Sequence, residues 1–396
     1  MSIRYIFACL ASFGLLAASG MAHQNLVRIE GAPDITELQP ALGGAAPRLG
    51  TLRIGLALKN IDSSGSDAFV ASQYDPQSPN FHKWIDGEEF GRRFGAPDTD
   101  VAALTQYLAA HGFRNVTISQ TKLFISADGS QDQVEKAFNT KIEVFQRPFY
   151  MVIKGEPATT FAPTEPPKLP ALLASKVASV QGLTDLLMQH PANLAMQKVK
   201  VGAGGYTPYD LSTAYDTDWL HSRGYYGQSM NIAVYSPTEW HKTDVNTFAT
   251  AITNIDKDFA DGYPISGYTI NEITVDGGST NTNGATEASL DVETIVGQAP
   301  NATVNLIEPK NGITYEIDAY NKILALKYPV VSSSWSNEEY TIIQDKLQSS
   351  DTAYNNTMKS LAAAGISVFQ SAGDSGAFAR NNYPARDIVK QVEIGG

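Results

Sequence analysis

From about Tyr206 onward, apolar strand-like runs alternate with stretches of helical periodicity, and this alternation restricts the fold more than any other feature of the chain. Residues 231–235, 303–307, 330–334 and 366–370 read as strands, and helical patterns occupy about 244–255, 286–298, 316–327 and 351–364. Strands separated by crossover helices predict a parallel α/β sheet, on which ligand sites lie at the carboxyl ends of the strands.

The upstream half has a different order. Residues 52–58 read as a strand, and helical stretches follow, the last over 100–110 before the stop signal His111-Gly112. Residues 116–119 and 122–126 alternate as a strand pair, Ser130 opens a helix running to Phe138, and 141–145 form a final strand. The order is β-α-β-β-α-β, an antiparallel sheet with helices on one face. Pro157, Pro163, Pro166, Pro167 and Pro170 then read as an extended linker, because proline lacks an N–H and fixes φ. A softer break follows at 201–205. A chain of 396 residues exceeds one ordinary core, so two domains are expected.

The N-terminus reads as a secretory signal: Arg4, a mostly apolar run over 5–18, and small residues at Gly20 and Ala22, with cleavage after Ala22. The run is shorter than the roughly 20 residues of a membrane span, and no later run is longer. The expected product is secreted and soluble, extracellular or periplasmic, with no membrane partner. The expected divisions are 1–22 as signal peptide, 23–155 as first domain, 156–205 as Pro/Gly-rich linker and processing region, and 206–396 as second domain.

Charge narrows the function. With 29 Lys+Arg against 41 Asp+Glu the formal net charge is −12, which excludes the basic footprint of a nucleic-acid or anionic-membrane binder. Residues 206–396 hold 11 basic and 23 acidic side chains, so little positive self-repulsion builds up when the carboxylates protonate. That balance suits acid conditions, and it suits solubility equally well. Cys9 is the only cysteine, so no disulfide scaffold, Cys-ligated zinc or thiol nucleophile is available downstream.

The segment Gly284-Ala-Thr-Glu-Ala-Ser-Leu-Asp-Val-Glu-Thr-Ile-Val-Gly297 is the most informative. Glu287 and Asp291 are four apart and share a helix face, while Ala288, Val292, Ile295, Val296 and Ala299 form an apolar arc with Asp291 at its edge. A partly buried pair of carboxylates suits proton transfer; acids in a first helical turn also suit the helix dipole with no further role. Ser371-Ala-Gly-Asp-Ser-Gly376 follows a predicted strand, so Asp374 lies at a carboxyl end, where it can meet substrate or merely cap a turn. Gly373-Asp-Ser-Gly376 is also similar to the serine motif of trypsin-like proteases, but strand–helix alternation is wrong for a double β-barrel. His221 and His241 carry no motif and read as exposed, non-catalytic histidines. No phosphate loop, metal-ligand spacing or dinucleotide fingerprint occurs.

Glu287-Ala-Ser-Leu-Asp291-Val, Val331-Ser-Ser-Ser-Trp335 and Ala372-Gly-Asp-Ser-Gly376, in this order, resemble the sedolisin/kumamolisin family of serine-carboxyl peptidases. Tyr206-Thr-Pro-Tyr-Asp-Leu-Ser-Thr-Ala-Tyr215 is similar to the start of the family's catalytic domain. Tyr74-Asp-Pro-Gln-Ser-Pro-Asn-Phe-His-Lys83 and Val134-Glu-Lys-Ala-Phe-Asn-Thr140 are similar to its activation prodomain. The resemblance implies a subtilisin-like parallel sheet with helices on both faces, preceded by an α+β ferredoxin-like inhibitory prodomain. It makes Glu287 the general base, Asp291 its orienting carboxylate and Asp374 the oxyanion-hole acid, with Ser333, Ser334 and Trp335 on the substrate strand. A carboxylate still accepts a proton near pH 4, where a histidine, with its ordinary value of about 6.5, is protonated. The partners implied are polypeptide substrates and the chain's own prodomain, and the protein is expected to be a monomer.

One departure is decisive. The family's nucleophilic serine belongs to a Gly-Thr-Ser motif, which these 396 residues lack, as they lack the family's C-terminal calcium site. The expectation is a peptidase part that is incomplete at its C-terminus, inactive alone and binding no calcium itself, the full-length family member binding calcium. Ser336 stands where the family usually has Gly. A non-catalytic binder or inhibitor derived from a peptidase is the alternative. A glycosidase fits poorly, since acids one turn apart on one helix do not flank a sugar bond.

Overall fold

The structure, a computed structural model, describes residues 25–36, 38–41, 49–147, 157–186, 188–191, 206–255, 265, 267–336 and 350–372. The expected signal peptide lies outside them.

In the first unit, short strands β1 (Leu26–Arg28) and β2 (Gln39–Pro40) precede β3 (Thr51–Leu58), which is buried along nearly its whole length. Three helices follow: α1 (Ser63–Tyr74), α2 (Gly87–Phe94) and α3 (Asp98–Ala110). Next come β4 (Arg114–Ile118), β5 (Phe124–Ser130), α4 (Gln131–Phe138) and β6 (Ile142–Gln146). Ser130 starts α4 through a capping box: its hydroxyl accepts from the Gln133 N–H, and the Gln133 side chain accepts from the Ser130 N–H at 2.7 Å. Ile54, Leu56, Leu104, Leu108, Ile125, Val134 and Phe138 meet in one core between sheet and helices.

The sheet differs from expectation in its last strand. Its order is β4-β5-β3-β9, where β9 (Val177–Gln181) lies beyond the proline-rich stretch, while β6 joins a separate sheet of order β2-β6-β7. The linker reading of 156–205 is therefore corrected for much of its length. β7 (Thr159–Pro163), β8 (Lys168–Pro170) and the short helix α5 (Ala171–Ala174) occupy it. Proline is tolerated here because, among the described residues, β7 is an edge strand and β8 pairs only with β1, so a missing N–H leaves no inner ladder unmade. After β9 the chain reaches β10 (His190–Pro191).

The second unit opens with α6 (Pro208–Ala214), which has Thr207 as N-cap and proline at its start, and α7 (Asp218–Ser222). The alternation then runs β11 (Asn231–Tyr235), α8 (Lys242–Ile255), β12 (Thr269–Thr274), α9 (Ala285–Gln298), β13 (Thr303–Glu308) and α10 (Ile313–Leu326). It closes with β14 (Val330–Ser333), β15 (Trp335–Ser336), α11 (Asp351–Ala363) and β16 (Ser367–Gln370). The sheet has order β12-β13-β11-β14-β16 and every pairing in it is parallel. Successive strand residues point to opposite faces. Val234, Val304 and Leu306 pack against α8 and α9, whereas Ala233, Tyr235, Ile307 and Val331 pack against α10 and α11.

The two units dock through α10, α11 and the first sheet. Ala57 and Phe124 of the first unit cluster with Ile317 and Ala353, and Phe90, Phe94 and Leu123 cluster with Ala363. The last carbonyls of α11, which lack the usual helical donors, take donors from the first unit. Ala363 O accepts from the Ile85 N–H at 2.9 Å and from Gln73 Nε2 at 3.0 Å, and Ala362 O accepts from the Tyr74 hydroxyl at 3.0 Å. Trp84 lies over Gly365, where φ is +73° and a Cβ would come within 2.6 Å of the indole. At the centre Arg53 is 5% exposed and meets Asp128 of its own unit at 2.9 Å, and Asp276 and Asp318 of the other unit at 2.8 Å each.

Candidate active site

The site forms at the carboxyl end of the parallel sheet, where α9 begins beside the loop leaving β11. Gly284 is the N-cap of α9 with φ of +101°, a left-handed conformation that a side chain would strain. Thr238 fixes the approach: its hydroxyl donates to Asn281 O at 2.5 Å, and Glu239 N–H donates to the same carbonyl at 2.8 Å. Glu287 thus lies in the first turn of α9, where the unpaired N–H groups favour an anion.

Glu287 is 7% exposed, and Asp291 lies one turn further along the same face, half-buried. Asp291 Oδ1 accepts from the Ser334 hydroxyl at 2.7 Å, which ties α9 to the residue joining β14 to β15. Among the described residues, Asp291 Oδ2 is buried without a hydrogen-bond partner. Burial pushes the Asp291 carboxyl up to about 7; the Ser334 hydrogen bond opposes this, and the Glu287 charge adds to it. The arrangement holds a proton on Asp291 through the acid range beside a second carboxyl group.

Of the residues read as the substrate strand, Ser334 joins the acid pair, while the side chains of Ser333 and Trp335 are each 2% exposed and face the interior. Trp335 packs in the core against α10 and α11. The backbone of this stretch is engaged as well. Ser333 O accepts from the Ser371 N–H at 2.9 Å, and Trp335 O accepts from Gln370 Nε2 at 2.6 Å. Trp335 and Ser336 pair with β10 from the other unit. Asp374 and Gly373-Asp-Ser-Gly376 lie outside the described residues.

His241 is exposed, but the exposed reading of His221 is corrected. Its ring is half-buried, stacks on Tyr226 at 5.2 Å, and places Nε2 2.9 Å from Gln298 O. It joins α7 to the end of α9. The reading of the residues also missed Glu316 and Asp318, both buried on α10. The available signal was two acids inside an otherwise apolar helical period (Ile317, Ala319, Tyr320, Ile323 and Leu324). Burial pushes Glu316 up to about 8 and Asp318 up to about 7, the latter against the opposing Arg53 charge. Among the described residues no group of three or more His, Asp or Glu side chains is placed to hold a metal ion.

Residues 42–186 match the family model "Pro-kumamolisin, activation domain". The chain is 26% identical over 377 residues to sedolisin of Pseudomonas sp. (strain 101), covering 88% of this chain and 60% of that protein. A second relative, xanthomonalisin of Xanthomonas sp. (strain T-22), is 25% identical over 212 residues, which cover half of this chain and 24% of that protein. The chain thus spans less than two thirds of the length of either relative. These relatives and the activation-domain match support placing the chain with the sedolisin/kumamolisin family. The activation-domain match reaches Leu186, so β7 to β9 fall within the matched residues, in agreement with the sheet order. No helix among the described residues is long and apolar enough to cross a membrane.

Proposed function

We propose that the chain is the proenzyme portion of a secreted, acid-acting serine-carboxyl peptidase that hydrolyses peptide bonds in proteins. The observation that carries the reading is the Glu287–Asp291 pair. It is desolvated and joined to Ser334 at the carboxyl end of a parallel sheet, and Asp291 is held protonated up to about 7. The sequence motifs, the activation-domain match and the acidic charge balance support the same reading.

Chemically, Asp291 carries the pair's proton and points Glu287 at the reacting hydroxyl. Glu287 would take the serine hydroxyl's proton as the serine oxygen bonds to the scissile carbonyl carbon, then give it to the departing amine as the C–N bond breaks. Water, deprotonated by the same carboxylate, would then release the acyl group. A protonated Asp374 would donate a hydrogen bond to the carbonyl oxygen as it gains charge. The serine is assigned to the part of the relatives' length that this chain does not span, and the finer subtilisin-like arrangement of the site belongs to the same proposal. Until maturation, the docked N-terminal unit keeps β10 across the strand edge at Trp335 and Ser336.

The test is proteolysis of a denatured protein at pH 3–5 by the full-length gene product and its Glu287→Gln variant. The variant should fold, resist self-processing and lose about 10²–10⁴-fold in kcat/KM. Retained acid proteolysis in the variant would remove Glu287 from the role of base.

A further inference from the structure

The segment leaving the prodomain inserts one side chain into the second unit. β10 runs antiparallel to β15, His190 opposite Ser336 and Pro191 opposite Trp335. β15 begins next to Ser334, whose hydroxyl holds Asp291, so this added strand runs toward the acid pair as an extended peptide adds to a sheet edge. One residue upstream, Gln189 is 3% exposed. Its backbone is anchored twice by one side chain: Gln189 N–H donates to Asn311 Oδ1 at 2.8 Å, and Asn311 Nδ2 donates to Gln189 O at 2.6 Å. Its carboxamide is met by two groups. The Tyr235 hydroxyl donates to Gln189 Oε1 at 2.5 Å, and the Gln189 side chain hydrogen-bonds the Glu316 carboxyl. Tyr235 stacks on Tyr320 at 5.3 Å, and Tyr354 closes the far wall edge-on to Tyr320.

We propose that this pocket, formed by Tyr235, Asn311 and Glu316, is a specificity subsite of the peptidase that selects glutamine in the substrate, on the N-terminal side of the bond cut. The inference rests on the peptidase reading. The Asn311 anchor recognises only backbone, so any peptide that replaces β10 in the same register meets it. The side-chain end discriminates. Leucine or methionine fills a similar volume but leaves the Tyr235 hydroxyl and the Glu316 carboxyl without partners in a closed pocket, a loss larger than that of one missing methylene. Asparagine falls one methylene short of both groups. In the proenzyme, Gln189 is therefore the prodomain's own copy of the preferred residue.

The experiment profiles cleavage by the acid-matured, full-length gene product on a peptide library, then measures kcat/KM for a matched pair differing only in Gln or Leu at the enriched position. The expected result is enrichment of glutamine at one position before the scissile bond and a Gln/Leu ratio of at least 10. In Tyr235→Phe that ratio should fall to about 3 or less. In the uncleaved chain, which needs no activity, Gln189→Leu should speed hydrogen exchange of the β15 amides at least tenfold. Vigorous Glu287-dependent cleavage with no glutamine preference would overturn this inference and leave the peptidase reading standing. Absence of Glu287-dependent cleavage would overturn both, and unchanged exchange in Gln189→Leu would overturn the pocket whatever the activity.

Discussion

Replacing Arg53 by methionine should weaken the docking of the first unit on the second in a way that depends on pH. Arg53 is the one base among three carboxylates, all within 2.9 Å: Asp128 on its own unit, Asp276 and Asp318 on the other. Ser126 ties the group together by accepting from Arg53 Nη2 at 3.0 Å and donating to Asp318 Oδ1 at 2.9 Å. Burial pushes Asp318 up to about 7, so the folded state holds more protons there than the unfolded chain between about pH 4 and pH 7. The contribution of Asp318 is thus fully present below pH 4 and is lost as pH rises through about 7. At pH 8 Asp318 is ionised, and removing Arg53 leaves its buried charge uncompensated, which costs about 3–5 kcal/mol. For a chain of this size that corresponds to a fall in Tm of roughly 4–6 °C. At pH 4 Asp318 is neutral and the penalty should shrink to the lost packing and hydrogen bonds, about 1–2 kcal/mol. The assay is thermal unfolding of Arg53→Met and the parent chain at both pH values, with Arg53→Met/Asp318→Leu as the compensated control. Equal losses at pH 4 and pH 8, or no recovery in the double variant at pH 8, would refute the electrostatic reasoning.

Two further outcomes are expected. Burial raises Asp291, Glu293, Glu308 and Asp318 to about 7 and Glu316 to about 8, so Tm of the parent chain should rise as pH falls from 8.5 to 4.5. Glu316→Gln, which cannot ionise, should remove up to about 5 kcal/mol of that dependence, the equivalent of the gap between 4.5 and about 8; an unchanged pH–Tm curve would contradict its burial as an acid. Gly284→Ala, at φ of +101°, should cost about 1–2 kcal/mol and displace the start of α9, read as a lower Tm together with slower maturation. An unaffected Tm would mean that the turn does not require glycine.

Much of this organisation is legible in the residues because the local signals agree with the packing. The arc of Ala288, Val292 and Val296 is buried as its spacing implies, and Asp291 lies at its edge because the wheel puts it there. Ser130 and Gln133 announce a helix start that the structure forms. β12 was not legible. It is an edge strand, Thr-Ile-Asn-Glu-Ile-Thr, with most of its residues exposed, so it carries no apolar run. β9 was hidden by its position, since the prolines before it look like the end of a domain and only long-range pairing with β3 shows otherwise. The buried faces of Ser333 and Trp335 follow from strand alternation at a sheet end, which a motif comparison does not resolve. The roles of Arg53 and Gln189 depend on the docking of two units and have no local signature at all.

The claim on which the account turns is that two desolvated acids share a site and that Asp291 holds the proton. Isotope-edited carboxyl NMR on the labelled chain measures this directly. Asp291 should titrate near 7, its signal assigned by loss in Asp291→Asn, moving lower in Glu287→Gln and higher in Ser334→Ala, because Glu287 raises and the Ser334 hydrogen bond lowers it. An Asp291 carboxyl that titrates near 4 and ignores both neighbours would contradict the account.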